Sequence, residues 1–203
     1  MKSKAQQTPL MAQYYKVKQA HPDTIVLFRV GDFFETFEDD AKTASKVLGI
    51  TLTKRSNGSA GDTPLAGFPH HAIDSYLPKL VRAGYRVAVC EQMENPKFAK
   101  GIVKREVVEV VTPGVTLSDK LLDHKKNNYL LSIAVQDQVC GLSFCDISTA
   151  EFYVFEVPLS KLGEQIESIN PSEFLIPKRD KEFLTKLIER INPSLRITKL
   201  DDW

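Results

Sequence analysis

A break near the middle of the chain limits what it can fold into. Thr112-Pro113-Gly114 reads as a turn, and the run from Leu117 to Asn128 is polar and charge-rich. Such a stretch joins cores rather than entering one, so the apolar segments on either side belong to separate domains. We divide the sequence into residues 1–115, a linker over 116–128, and residues 129–203. At roughly 100–200 residues per domain, the length allows one domain or two small ones. Charge divides in the same place. Residues 1–115 carry 16 Lys/Arg against 12 Asp/Glu, and residues 116–203 carry 11 against 14. The first part is therefore the better match to a polyanion, while the overall balance of +1 favours no class of partner.

The first part alternates strands and helices. Met11–Gln19 predicts a short helix, ended before His21-Pro22. Thr24–Arg29 reads as a buried strand and Gly31-Asp32 as a turn. Phe37, Ala41, Ala44 and Leu48 fall on one helical stripe that Gly49 stops. Ile50–Thr53 predicts a short strand, and Lys54–Asp62 a polar Gly/Ser loop. Ile73, Tyr76, Leu77, Leu80 and Val81 mark a second amphipathic helix, ended at Gly84. Arg86–Glu91 and Arg105–Thr112 are two further strands. The sum is a small mixed α/β domain.

The second part opens with three strands, Tyr129–Gln136, Val139–Ile147 and Glu151–Glu156, joined by hairpin-length links. A helix over Leu159–Ile169, a strand over Glu173–Ile176, a helix over Lys181–Arg190 and a strand over Leu195–Lys199 follow. The order β-β-β-α-β-α-β is that of ribonuclease-H-like folds, a fold-level statement that licenses no chemistry. No closing helix precedes Trp203, which reads as an end inside this domain.

Composition excludes several classes. With 42% hydrophobic and 26% charged residues, the chain is neither disordered nor fibrous. Its apolar runs are too short to span a bilayer, and the first residues lack the apolar core of a signal peptide. Cys90, Cys140 and Cys145 lie within apolar stretches, as free thiols of a reducing cytoplasm do. No Cys/His cluster suggests zinc, and His70-His71 has no neighbouring ligand set, so that pair reads as a helix start or surface feature.

The densest local signal is Gly31-Asp32-Phe33-Phe34-Glu35-Thr36-Phe37-Glu38-Asp39-Asp40, where a buried strand gives way to a helix. Its last three carboxylates suit the positive end of that helix. Periodicity cannot bury Phe33, Phe34 and Phe37 together. Two readings stand: a core-packing loop, or an exposed aromatic wedge with a carboxylate beside it.

The segment FRVGDFFETFEDDA resembles the mismatch-recognition motif of the MutS family of bacterial DNA mismatch repair proteins. TPLMAQYY, GITLTKR, PLAGFPHHA, YLPKLV, VAVCEQ, KREVVEVVTPGVT and CDIST also resemble family segments, in family order from Thr8 to the C-terminus. The resemblance implies a mixed α/β mismatch-recognition domain followed by part of a ribonuclease-H-like connector domain. It places the family's Phe-x-Glu motif on Phe33 and Glu35, with Phe34 where the family most often has Tyr. In the family the Phe stacks on a mispaired base from the minor groove, and the Glu hydrogen-bonds that base. The resemblance also implies DNA contacts at Val30, Arg55, Pro64 and Leu65. The basic run Lys97, Lys100 and Lys104, ending at Arg105, could follow a phosphate backbone or be a solvated loop.

A family member would act on mismatched double-stranded DNA as a homodimer, with MutL downstream, in the cytoplasm. Its ATP and magnesium would belong to a C-terminal ATPase domain. No Gly-x-x-x-x-Gly-Lys-Ser/Thr loop occurs in these 203 residues, so they are expected to bind no cofactor and catalyse nothing. A metal-dependent nuclease is the alternative, using Asp32, Glu35, Glu38, Asp39 and Asp40 with Asp137, Asp146 and Glu151. A protein-interaction module that touches no DNA is another.

Overall fold

The computed structural model describes residues 7–96, 98–99, 101–114, 127–191 and 196–200. Lys97, Lys100 and most of the charge-rich linker lie outside the described residues. The chain gathers into two compact units, Met1–Val111 and Thr112–Trp203.

The first unit opens with helix α1, Pro9–Ala20. Thr8 caps it by accepting from the Met11 N–H, and Pro9 occupies the first turn, where its missing N–H costs nothing. Strand β1, Ile25–Val30, turns at Gly31-Asp32 into β2, Phe33–Phe37. Gly31 takes a φ of +58°, which suits the first position of a two-residue hairpin turn. Helix α2, Glu38–Leu48, ends at Gly49 with a φ of +68°. Then come β3, Thr53–Ser56; β4, Asp62–Pro69; helix α3, Ile73–Arg82; β5, Val87–Gln92; and β6, Arg105–Val111.

The six strands lie in the order β3-β4-β2-β1-β5-β6, with only β1 and β5 parallel. Alternation sends Val26, Phe28 and Phe37 to one face with Ala88 and Cys90, where Met11 and Tyr14 of α1 cover them. On the other face Phe34 meets Phe68, whose ring stacks on Tyr76 of α3.

This unit departs from the sequence reading in three places. Phe33–Phe37 is a strand rather than a loop entering a helix, so Phe37 belongs to the sheet and not to the α2 stripe. Pairing on both edges, with β1 and β4, decides the matter. The strand expected at Ile50–Thr53 lies at Thr53–Ser56, taking in the start of the expected Gly/Ser loop. Strand β4 was not foreseen. Pro64, Gly67 and Pro69 disguise it, although Pro69 is its final residue.

The second unit follows the expected order closely. Strands β7, Leu130–Gln136, β8, Val139–Asp146, and β9, Glu151–Pro158, form an antiparallel meander. Helix α4, Leu162–Ile169, β10, Glu173–Pro177, helix α5, Lys181–Ile191, and β11, Arg196–Leu200, complete it. The sheet order β11-β10-β7-β8-β9, with β7, β10 and β11 parallel, is ribonuclease-H-like. Leu131, Ile133, Leu142, Phe174 and Ile176 of the sheet pack with Leu162, Ile166, Leu184 and Ile188 of the two helices.

Candidate nucleic-acid interface

The β1–β2 hairpin decides which aromatic faces out. Val30 pairs with Phe33, Arg29 with Phe34 and Phe28 with Glu35. That register sends Phe34 into the core at 1% exposure and leaves Phe33 47% exposed at the end of the strand. Phe33 and Glu35, two residues apart, share a sheet face. The His70 N–H donates to the Asp32 carbonyl at 2.8 Å, pinning the turn that carries Phe33.

Glu35 is mostly buried, its side chain 16% exposed. The Arg55 guanidinium of β3 donates to its carboxylate at 2.6 Å. Burial pushes the Glu35 carboxyl above its ordinary value, opposed first by Arg55 and more weakly by Arg105. Opposite Glu35 on β4 stands Gly67. A Cβ there would lie 2.9 Å from the Phe34 carbonyl oxygen and 3.4 Å from Glu35 Cγ. Phe33, Glu35, Leu65 and Gly67, with residues just after α2, line an open groove of about 530 Å³. Gly67 lies within the segment PLAGFPHHA, where no function was expected of it. Its one signal is a glycine inside a strand, which marks a close approach.

The other expected contacts are distributed as follows. Val30 is half-buried as the cross-strand neighbour of Phe33. Leu65 joins Phe33 and Glu35 at the groove, and Pro64 sits one residue away, paired with Lys54. Arg55 is turned to Glu35. Lys104 is exposed and paired with Glu106 at 2.6 Å. Its backbone closes the β5–β6 loop through Met93 and Glu94. Lys97 and Lys100 fall outside the described residues.

The acidic run is spent on structure. Asp40 accepts from the Tyr14 hydroxyl at 3.1 Å, the Val26 N–H at 3.1 Å and the Lys18 ammonium at 2.8 Å. Glu38 accepts from the Tyr15 hydroxyl at 2.7 Å, and Asp39 pairs with Lys42. Burial, then the bond to Glu38, pushes the Tyr15 hydroxyl up to about 12. In the second unit Asp146 accepts from the Asn128 and Ser148 N–H groups, while Asp137 sits in the β7–β8 turn. Among the described residues, no three His, Cys, Asp or Glu side chains gather as a metal site. His70 and His71 lie in the short 3-10 turn just before α3, their rings edge to face.

A six-stranded mixed sheet that holds the Phe33 ring out beside an open groove, followed by a ribonuclease-H-like unit, describes a two-unit mixed α/β protein with a binding-type groove. The family model described as MutS domain I matches residues 8–120, and that of MutS domain II matches residues 128–203. The chain belongs to the MutS family. DNA mismatch repair protein MutS of Chlorobaculum parvum is 52% identical, a match covering 98% of this chain and 23% of the relative. The proteins of the same name from Parabacteroides distasonis and Salinibacter ruber are 49% and 50% identical, over 99% and 97% of this chain. This chain spans less than a quarter of the length of these relatives. No helix among the described residues is long and apolar enough to cross a membrane.

Proposed function

We propose that this chain is the mismatch-sensing part of a DNA mismatch repair protein. Phe33 enters the minor groove and stacks on a mispaired or unpaired base, and Glu35 hydrogen-bonds that base. The observation that carries the reading is the contrast between adjacent rings: Phe33 is 47% exposed and Phe34 is 1% exposed. A folding core has no use for the exposed ring, whereas a wedge must be held out on a rigid strand.

The energetics favour defects. Inserting a wedge unstacks a step and kinks the duplex, at a cost of a few kcal/mol. A mismatch yields more cheaply than a paired, stacked step, so deformation energy discriminates. A ring suits many mismatches because every base presents a π-face. A carboxylate beside a polyanion weakens binding to any duplex, and a base donor freed by faulty pairing offsets this penalty. Phe33 thus supplies affinity, and Glu35 supplies selectivity. Val30, Arg55, Pro64 and Leu65 add further DNA contacts, and the basic run Lys97, Lys100 and Lys104 supplies charge for the phosphate backbone.

In this reading residues 1–115 sense the mismatch, and residues 129–203, across the 116–128 linker, pass the bound state on. The longer cytoplasmic protein acts as a homodimer. It couples sensing to ATP and magnesium in a domain of its own and hands on to MutL, while these 203 residues catalyse nothing and bind no cofactor.

The test is binding of the protein at its natural length to a G·T duplex and to its G·C match at one salt concentration, for wild type and Phe33→Ala. The reading requires a wild-type preference that vanishes in the variant with an unchanged melting temperature. An equal response of wild type to both duplexes overturns it.

A further inference from the structure

Glu35 carries a problem that mismatch sensing alone does not solve. A carboxylate so far removed from water tends to take up a proton. A protonated Glu35 would no longer repel a matched duplex, and its share of the selectivity would go. The fold supplies a counter-charge from an unexpected quarter. Arg55 lies on edge strand β3, separated from β2 by β4. It reaches across to place Nη1 2.6 Å from Glu35 Oε2. On the strand in between, the residue opposite Glu35 is Gly67, so no side chain crowds the carboxylate from that position. A side chain there would press on Glu35 Cγ and on the β2 backbone.

The other groups around Glu35 leave this task to Arg55. Phe28 of β1 and Gly67 of β4, its two cross-strand neighbours, bear no charge. Arg105 of β6 acts on Glu35 through space. Its guanidinium is committed elsewhere, to the Arg29 and Val103 carbonyls and the Gln13 side chain, over the Phe28 ring.

Resting on the mismatch reading, we infer that Arg55 is a positioning residue that keeps the Glu35 carboxylate ionised and fixed beside Phe33, so that a base must offer a hydrogen-bond donor to be accepted. A matched step has no such donor to spare, and burying the ionised carboxylate against it then goes uncompensated. Arg55 therefore acts on selectivity through Glu35, not only as a phosphate contact. A phosphate contact alone would change binding to matched and mismatched duplexes by one factor.

The decisive measurement needs no DNA. The Glu35 carboxyl is titrated by carbon-13 NMR in this 203-residue chain for wild type, Arg55→Gln and Arg55→Lys. The Gln variant should raise the Glu35 midpoint by about one pH unit or more, and Lys should restore most of the wild-type value. An identical midpoint in all three overturns the inference. In the protein at its natural length, the mismatch-to-match affinity ratio should stay level from about pH 8 to about pH 6 in wild type and fall in Arg55→Gln. A Gln variant that weakens binding to both duplexes but keeps the wild-type ratio at both pH values reduces Arg55 to a simple phosphate contact and also overturns it. Absence of any wild-type preference instead overturns the mismatch reading and leaves the NMR result standing.

Discussion

The two ends of strand β2 use the same residue types for opposite ends. At its start, Phe33 is exposed and Glu35 has one close cationic partner at the edge of a groove. At its close, Phe37 is fully buried with its ring 4.8 Å from Tyr14, and Asp40, just beyond, is held by three donors from two other elements. An aromatic and a carboxylate a few residues apart therefore line an open groove in one place and form a structural clasp in the other. What separates them is cover. Helix α1 lies over the Phe37 end of the face and not over Phe33.

Breaking the structural end should have the largest effect. Phe37→Ala removes a buried ring from the cluster of Met11, Tyr14 and Phe28 and should destabilise the chain by about 3–5 kcal/mol in denaturant unfolding. A loss below about 1 kcal/mol would mean that the α1 face is not the core it looks to be. Asp40→Ala should follow at roughly 3 kcal/mol, because it strands the Val26 N–H and leaves the Tyr14 hydroxyl and the Lys18 ammonium only the Phe37 and Thr24 carbonyls. The double variant Asp40→Ala with Lys18→Met should recover part of that loss. No recovery would show that the Tyr14 and Val26 bonds carry the clasp.

Gly67→Ala sharpens the contrast from the groove end. Its added methyl meets backbone, not a flexible side-chain tip, so β4 or β2 must shift. A cost of about 1–3 kcal/mol is expected, read as a lower denaturation midpoint, with a changed Glu35 environment in NMR spectra. Phe33→Ala should move stability by less than about 0.5 kcal/mol, since its ring packs little, while abolishing mismatch preference in the longer protein. A stability loss near that of Phe37→Ala would erase the distinction between the two ends.

How much of this was legible in the sequence differs between the units for physical reasons. The second unit announces itself, because its strands alternate cleanly and its links are hairpin-short, so every element fell close to its expected place. In the first unit Phe37 happens to lie in helical register with Ala41, Ala44 and Leu48, and that coincidence hid the strand. Strand β4 was masked by residues that usually end strands, and only pairing on both sides keeps it extended. Phe33 and Glu35 were singled out by the family resemblance. That Phe33, not Phe34, faces outward depends on the Val30–Phe33 register, and no residue type encodes that by itself. The Arg55–Glu35 pair was out of reach, since it joins residues 20 apart through a sheet order that places β4 between their strands.

The smallest expected effect separates the two carboxylates most finely. Glu35 binds its proton more tightly in the folded chain than its ordinary value, because burial outweighs Arg55. Its contribution to stability is therefore fully present below the ordinary glutamate range and is lost as pH rises through the raised folded value. At neutral pH the ionised carboxylate is then a net burden on folding. Glu35→Gln, which mimics the protonated form, should match wild type in melting temperature near pH 4 and equal or exceed it near pH 7. The gain should stay below about 1 kcal/mol, because Arg55 is one-third exposed and can turn to water. The opposite trend, a variant weaker at neutral pH whose deficit closes on acidification, would make the Arg55–Glu35 pair a net stabiliser. Glu35 would then be a second clasp like Asp40, and the two ends of β2 would no longer differ in kind.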